Sequence, residues 1–285
     1  MLSIFTIPKA FVGLNAIIQR NAIRSWQQLR PQCEIIIFGN DTGVADIARE
    51  LDVVYIPSIE KNKYDTPLLS SAFFTAQKIA KYDILMYINS DIILFHNLIE
   101  SVQKINLNCF LLCGRRWDLD IDYEIDFNSG DWIHELTQKI KTEGRLHGLS
   151  GIDYFIFRRN SIEMPPFAVG RQGWDTWLIY YMRRMKIPVI NASDSITAIH
   201  QNHDYSHSKF GKKKRVAGPE WDENIRIAGG FSNMLTLRDA DWILTKEGLK
   251  RPDFPWVIFS LLSLVYPWRL LLAAKRWLQK MADEL

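Results

Sequence analysis

The chain has 285 residues, with 35 basic and 32 acidic side chains and a formal net charge of +3. This length can bury one large core with an appendage, and the small charge excess argues against an extended nucleic-acid-binding surface. The three cysteines, Cys33, Cys109 and Cys113, lack the spacing of a metal or redox motif and lie in or beside apolar runs. We therefore expect free thiols in a reducing, cytoplasmic compartment.

Apolar runs and helical patterns alternate over the first 95 residues. They predict strands at 2–6, 33–38, 53–56 and 84–88, and helices at 15–29, 43–51 and 68–80. Thr66, which is followed by Pro67, is predicted to cap the last of these helices. Strands that alternate with helices predict a parallel sheet with right-handed crossovers.

Three predicted strands end in small polar residues, namely Thr6-Ile7-Pro8, Gly39-Asn40-Asp41 and Asn89-Ser90-Asp91. Ligands of open α/β sheets lie outside the carboxyl ends of the strands, so a crevice of nucleotide size is expected there. Asp91 can hold a divalent cation that binds a diphosphate, although such tripeptides are also typical of turns. The glycine motifs of dinucleotide-binding dehydrogenases and P-loop phosphotransferases are missing.

The middle of the chain is rich in carboxylates and aromatic residues. A strand is predicted at 109–113, and residues 115–150 are predicted to be loops with one helix at 131–143, bordering an acceptor site. The series Asp118, Asp120 and Asp122 lacks the glycine of a calcium-binding EF-hand. A further helix is predicted at 175–185. Asp175 begins it, where the helix dipole should lower the pKa of its carboxyl and where a helix cap is the alternative role.

Together these strand ends resemble the nucleotide-sugar-binding half of GT-A glycosyltransferases, with Asn89-Ser90-Asp91 in the place of the Asp-x-Asp motif. Four further segments are similar to bacterial proteins related to glycosyltransferase family 2: IQRNAIRSW (18–26), TPLL (66–69), GWDTWL (173–178) and AIHQNHDYSH (198–207). The resemblance covers most of residues 1–210. It implies a GT-A-like (Rossmann-like) α/β fold, with a mixed, mostly parallel sheet flanked by helices. The donor-binding half is 1–95 and the acceptor and catalytic half is 96–215.

The resemblance also implies a function and roles for individual residues. The chain would move a sugar from a nucleotide-diphosphate donor, with a UDP-sugar favoured, to a glycan or lipid-linked acceptor, with inversion. Asp175 would be the catalytic base, and Asp91 with His200 would hold Mn²⁺ or Mg²⁺. Asn89 replaces the first Asp of the motif, which puts the need for the metal in question. The donor-binding residues would be Thr6, Pro8, Asp41, Asn62, Asp65, Asn89, Ser90 and Asp153, and the acceptor or diphosphate contacts would be Trp174, Trp177, His203 and Lys209.

Two other function classes remain open on the sequence. A nucleotidyltransferase that makes sugar nucleotides usually has a glycine-rich basic loop after its first strand, and residues 5–11 have none. A non-catalytic glycan-binding or scaffold protein on a degenerate GT-A fold is compatible with Asn89, whereas Asp175 and His200 argue against it. Histidines 200, 203 and 207 could bind zinc if they shared a helix face, but the intervening polar residues favour a loop.

Residues 216–285 are predicted to form a C-terminal helical extension. The stretch 254–268 carries no charged residue, yet it is shorter than the roughly 20 apolar residues that a membrane-spanning helix needs. Flanking aromatic and basic residues predict an amphipathic helix that contacts the cytoplasmic membrane face through 254–280. Docking of this helix on the domain or on a second subunit is the alternative.

Overall fold

The computed structural model of the chain describes residues 1–203 and 218–252. The described strands are β1 (Leu2–Thr6), β2 (Glu34–Phe38), β3 (Val54–Ile56), β4 (Ile84–Ile88), β5 (Ile92–Leu94), β6 (Leu111–Arg115), β7 (Trp117–Leu119), β8 (Arg145–Leu146), β9 (Ile152–Arg158), β10 (Val189–Asn191), β11 (Ala198–Gln201), β12 (Trp242–Thr245) and β13 (Gly248–Lys250). The described helices are α1 (Leu14–Gln27), α2 (Val44–Glu50), α3 (Leu69–Ile79), α4 (Asn97–Gln103), α5 (Trp132–Glu143), α6 (Trp174–Arg184) and α7 (Pro219–Ile227).

A large mixed sheet forms the centre of the molecule. Its nine strands among the described residues follow the order β13-β12-β10-β6-β9-β4-β1-β2-β3. Five of the neighbouring pairs are parallel, and strand β9 runs antiparallel to both β4 and β6. The prediction of a mixed, mostly parallel sheet flanked by helices is therefore confirmed.

Both faces of this sheet are buried, which explains the continuous apolar runs of its central strands. Successive side chains of a strand point to opposite faces. Met86 and Ile88 of β4 accordingly join one core cluster, on the side of α1 and α2, whereas Leu85 and Tyr87 join the other, on the side of α3 and α6. The carboxyl end of β4 is thus held from both sides, and it leads directly to Asp91.

A second, smaller sheet has the order β5-β11-β7-β8. Strand β11 runs antiparallel to β5 and parallel to β7, and its register places His200 opposite both Ile92 and Asp118. A third apolar cluster joins this sheet to α5 through residues such as Ile199 and Trp132. The small sheet therefore brings residues from three distant parts of the chain to one place.

Two local predictions are wrong. The segment 115–150 is not only loop and helix, because β7 and β8 pair with each other there. Thr66 does not cap a helix, since α3 begins at Leu69 with Leu68 in the capping position. The backbone just before α3 is extended instead, because Leu68 forms an isolated β-bridge with Ala168. The expected free thiols are found, and Cys33 and Cys113 are buried while Cys109 is partly exposed.

The described part of the predicted C-terminal extension, residues 218–252, adds to the domain. It forms α7 and the strands β12 and β13, and β12 pairs with β10 of the large sheet. Residues 253–285, which include the predicted membrane contact at 254–280, lie outside the described residues. Among the helices that are described, none is both long enough and apolar enough to span a bilayer.

The adjacent residues Phe73 and Phe74 allow a matched test of the core. Phe73 is fully buried and packs against Phe5, Tyr87 and Phe157, whereas Phe74 is 70% exposed. We expect Phe73→Ala to lower the free energy of unfolding by about 3–5 kcal/mol, because it leaves a cavity among these rings. Phe74→Ala should change it by about 0.5 kcal/mol or less. Urea unfolding measures both, and equal effects would contradict this packing.

Candidate functional site

A cavity of about 760 Å³ opens beside the small sheet. Its walls come from β7, the segment between β8 and β9, the beginning of α6, the end of β11, and α7 with the turn that follows it. The residues that line it are Arg116, Asp118, Arg145, His147, Ser150, Gly151, Ile152, Asp153, Gln172, Gly173, Asp175, Thr176, His200, Asn202, His203, Trp221, Ile225, Phe231 and Met234. Ionisable groups of both signs and an apolar wall therefore meet in one cavity.

Asp91, His200 and His203 form a cluster that can hold a cation. One ligand atom from each residue lies within 4.8 Å of the others. Oδ2 of Asp91 is 3.2 Å from Nε2 of His203 and 3.6 Å from Nε2 of His200. Asp91 lies in the short connection between β4 and β5, and β11 delivers the two histidines to it. The resemblance put His200 first and His203 second for completing the metal shell or meeting the diphosphate, and the structure brings both to Asp91.

The donor set fits a divalent cation. Oδ1 of Asp91 is buried and has no hydrogen-bond partner in the part of the chain that the structure describes. Such an orphaned oxygen is costly unless a ligand or ion satisfies it. Burial opposes ionisation of this carboxyl, but His200, the hydrogen bond from His203 and the charge of Lys9 outweigh it and hold the pKa of Asp91 well below its usual range. Asp91 is therefore ready to act as an anionic ligand.

A charged network lies directly behind this cluster. Arg116 donates from Nε to Asp118 at 2.9 Å and also pairs with Asp153. Asn89 donates to the other oxygen of Asp153 at 2.6 Å. Asp118 also lies 2.8 Å from Nδ1 of His147, and although burial opposes its ionisation, bonds to the histidines and to Arg116 hold its pKa well below the usual range. The predicted donor residues Asn89 and Asp153 therefore belong to one network at the cavity.

Asp175 lies at the cavity, but the prediction that its pKa is low is wrong. Helix α6 begins one residue earlier, with Gly173 as its cap, so Asp175 is in the first turn and is not the cap. Burial raises the pKa of Asp175 to about 6. The hydrogen bond from the backbone N–H of Thr176 opposes this shift, and the negative charge of Asp153 adds to it. Desolvation therefore outweighs the helix dipole here.

Trp174 and Trp177 do not form the wall of the cavity that the sequence predicted. They are 5% and 7% exposed and belong to the core cluster between the large sheet and α6. Trp174 packs against Tyr87 and Phe155, and Trp177 against Phe167. Their helical spacing is thus the signature of a core-facing helix.

A different aromatic pair lines the cavity, and sequence reasoning missed it. Trp221 of α7 and Phe231 of the following turn have ring centroids 5.8 Å apart. Phe231 is 39% exposed. Nε1 of Trp221 is buried and has no hydrogen-bond partner within the described ranges. Because α7 has only a short apolar pattern and contacts the cavity through packing between segments far apart in the chain, nothing in the sequence connects this pair with the cavity.

Three of the other predicted donor-binding residues, Asp41, Asn62 and Asp65, lie away from the cavity. Asp41 and Asp65 are exposed, and the ammonium of Lys61 lies 3.9 Å and 3.2 Å from them. Asn62 is a turn residue, because its side chain accepts from the N–H groups of Tyr64 and Thr66 and donates to Glu220. These residues lie near the ends of β2 and β3 and are not part of the described cavity lining.

Thr6, Pro8 and Ser90 are buried, and Ser90 directly precedes Asp91 of the cation cluster. Ser90 donates to the side-chain oxygen of Gln19, which also accepts from the backbone N–H of Lys9. Oγ1 of Thr6 is buried without a hydrogen-bond partner among the residues described. Lys209 falls in the stretch 204–217, which lies outside the described residues, as do His207 and the basic run that follows it.

Helix α1 supports the segment that carries Asp91. Trp26 donates to the backbone oxygen of Ile92 at 2.9 Å, and Ser25 accepts from the backbone N–H of Leu94. Asn21 donates to Gln201, whose side chain donates to the backbone oxygen of Asp91. The polar residues of the motif at 18–26 therefore hold β5 and β11 in place.

No family model matches the chain, and no curated protein matches it. Solved structures with a similar fold include a protein of Desulfovibrio desulfuricans G20 named a nucleotide-diphospho-sugar transferase (12% identity, 80% of this chain and 97% of that one, TM-score 0.44). Another is S. aureus TarS 1-349 in complex with UDP-GlcNAc (12% identity, 80% of this chain and 65% of that one, TM-score 0.46). A third is glucosyl-3-phosphoglycerate synthase of Mycobacterium tuberculosis in complex with Mn²⁺, UDP-glucose and phosphoglyceric acid (14% identity, 81% of this chain and 80% of that one, TM-score 0.45). At such identities and TM-scores, the chemistry of this chain has to come from its own side chains.

Substitution of Asp91 tests the cation cluster. We expect Asp91→Asn to weaken Mn²⁺ binding at least about 100-fold, because it removes the single carboxylate ligand, whereas loss of an outer partner typically costs 10–100-fold. Asp122→Asn, a change at an exposed carboxylate shortly after β7, should leave the affinity unchanged. Titration calorimetry or the electron spin resonance of free Mn²⁺ measures both. Equal affinities in the two variants would rule out this cluster as the site.

Proposed function

We propose that the chain is a glycosyltransferase that moves a sugar from a nucleotide-diphosphate donor to a glycan or lipid-linked acceptor. One observation carries this proposal. His200 and His203 line the same cavity as Asp175, whose carboxyl has a pKa of about 6, and behind them they contact Asp91, whose carboxyl is held ionised. Two carboxyl groups whose environments push their pKa values apart are suited to two different tasks.

The cation cluster supports a diphosphate-binding role. Of the two predicted ions, Mn²⁺ fits better than Mg²⁺, because two of the three ligand atoms are imidazole nitrogens and Mg²⁺ prefers oxygen. A bound divalent cation would neutralise the negative charge of the leaving nucleoside diphosphate. Asp91, His200 and His203 would hold it. Arg116 adds a fixed positive charge to the same wall.

Asp175 is suited to be the base that takes the proton from the acceptor hydroxyl. A general base works best when its pKa lies near the working pH, and burial brings Asp175 to that range. The backbone N–H of Thr176 donates to Oδ1 of Asp175 and orients the carboxyl group, which lines the cavity where the acceptor hydroxyl would bind. Attack by a hydroxyl that a separate base activates leads to inversion at the anomeric carbon. The anomeric form of the product, read by NMR, checks this.

The cavity has one apolar wall and one polar wall, which supports a sugar-containing acceptor. Trp221, Ile225, Phe231 and Met234 supply apolar surface, and Arg145 and His147 supply polar groups. A sugar ring has an apolar C–H face and polar edges, so it matches both walls, and indole rings combine apolar surface with one N–H donor. The side chains of Ile225 and Met234 also lie against Gly173, which places the apolar wall at the start of α6, beside Asp175.

The decisive experiment uses water as the acceptor. Purified protein with Mn²⁺ is incubated with UDP-, GDP- and dTDP-sugars, and the released nucleoside diphosphate is measured. We expect release from at least one donor, with a rate that falls about tenfold per pH unit below pH 6, because Asp175 has to be ionised to act as a base. Asp175→Asn should lower the rate at least about 100-fold at pH 7.5 and abolish this acid limb.

The matched control is Asp46→Asn, since Asp46 also lies in the first turn of a helix but is exposed. It should keep the rate and the pH profile of the unaltered protein. Failure to bind or cleave any of these donors would overturn the proposed function. Full activity in Asp175→Asn would be compatible with a glycosyltransferase but would show that Asp175 is not its catalytic base.

Trp221 provides a separate test of the acceptor side. We expect Trp221→Ala to raise the acceptor KM by about tenfold or more, since stacking on an aromatic ring and one hydrogen bond each contribute roughly 1 kcal/mol. UDP binding and donor hydrolysis should change by less than about twofold. Trp221→Phe keeps the ring and should recover part of the loss. Kinetics with the acceptor found by screening measure this, and an unchanged KM in Trp221→Ala would place the acceptor elsewhere.

A further inference from the structure

We infer that Asp118 is a positioning residue that fixes the ring orientation and the tautomer of His200, so that Nε2 of His200 presents its lone pair to a cation held by Asp91. This inference rests on the metal site of the proposed function. It concerns a residue that makes no direct contact with Asp91. Metal-bound histidines usually donate their second N–H to a carboxylate or carbonyl, which fixes the ring and raises its basicity.

The pairing of the small sheet brings Asp118 to His200. In the parallel pair of β7 and β11 the two residues are direct partners, and Oδ1 of Asp118 lies 3.4 Å from Nδ1 of His200. This Nδ1 is buried and makes no hydrogen bond of standard geometry with the described residues, so a small rotation of the ring would be needed to complete a bond to Asp118. The opposite ring nitrogen, Nε2, lies 3.6 Å from Oδ2 of Asp91. His200 is 5% exposed, and its ring thus lies between two carboxylates.

A proton count shows why this arrangement favours a cation. A protonated His200 would pair with both carboxylates in the metal-free site, so the count applies to the neutral imidazole that a metal requires, which has one N–H and one lone pair. If Nδ1 carries the proton and faces Asp118, the lone pair of Nε2 faces the carboxylate of Asp91. Two electron-rich atoms then point at each other at 3.6 Å. A divalent cation between them removes this repulsion, whereas the reverse tautomer would close the site with a hydrogen bond to Asp91.

The side chain of Asp118 is itself held in place, so that it can determine which ring nitrogen of His200 carries the proton. Arg116 donates from Nε to the same oxygen, Oδ1, at 2.9 Å, and His147 lies 2.8 Å from the other oxygen. Arg116 is 7% exposed and also pairs with Asp153 on β9, so it cannot swing away without leaving two buried carboxylates unpaired. The carboxylate of Asp118 therefore has a fixed position relative to the ring of His200.

The alternative is that Asp118 only stabilises the fold as the partner of Arg116. The two roles differ in measurable ways. A purely structural residue would change the free energy of unfolding and leave the protonation pattern of His200 and the intrinsic metal affinity alone. A positioning residue changes both of these, even in protein that remains folded.

The experiment compares Asp118→Leu, which removes the acceptor, with Asp118→Asn, which keeps one acceptor oxygen without the charge. We expect Asp118→Leu to weaken Mn²⁺ binding about 10–100-fold and Asp118→Asn to weaken it less, because the remaining oxygen can accept from Nδ1 of His200. In the metal-free protein, ¹⁵N NMR of the imidazole nitrogens should show Nδ1–H for His200 and a shift toward Nε2–H in Asp118→Leu. Subtraction of the His200→Gln spectrum identifies the signal among the six histidines.

Asp122→Asn is the control, and urea unfolding confirms that each variant is folded. Unchanged Mn²⁺ affinity and an unchanged His200 tautomer in both Asp118 variants would overturn the inference while leaving the metal site in place. If Asp118→Leu does not fold, Asp118→Asn decides, with about a tenfold loss expected and no loss overturning the inference. Failure of the unaltered protein to bind Mn²⁺ would overturn the metal site and this role together, without affecting donor binding tested in EDTA.

Discussion

The pairing of β11 with both β5 and β7 is the constraint on which the site depends. It aligns His200 with Ile92 on one side and with Asp118 on the other. A slip of one residue would turn the ring of His200 to the opposite face of the sheet and separate it from both carboxylates. The backbone N–H of Gln201 donates to the oxygen of Asp91, and this bond ties the strand that carries the histidine to the segment that carries the carboxylate.

Charge in the cavity is arranged by what surrounds each carboxyl group. Asp91 and Asp118 are enclosed, yet histidines and basic side chains around them keep them ionised. Asp175 is partly buried at the cavity, but its neighbours are backbone N–H groups and the charge of Asp153, so desolvation dominates and its pKa rises to about 6. The same desolvation thus produces a permanent anion where cations are near and a group able to exchange a proton where they are not.

The large sheet mainly stabilises the fold, and the small sheet mainly positions the polar residues of the site. The large sheet buries both of its faces and presents the end of β4, while the small sheet supplies the histidines and Asp118. Helix α1 joins them, because Trp26 and Asn21 reach from its buried face to β5 and β11. The polar residues of α1 therefore serve the site without lining it.

The sequence by itself determined the alternation of strands and helices, the mostly parallel sheet and the candidate Asp91, because apolar periodicity and polar strand ends are local signals. The candidates His200 and Asp175 came from the resemblance to GT-A glycosyltransferases. Only the tertiary structure decided the environment of each side chain. Trp174 and Trp177 have the residue type of a binding wall, but α6 turns them into the core. Trp221 and Asp118 carry no local signal, and they reach the cavity through contacts between segments far apart in the chain. The pKa of Asp175 was misjudged for the same reason: a helix start is visible in the sequence, whereas burial depends on how the whole chain packs.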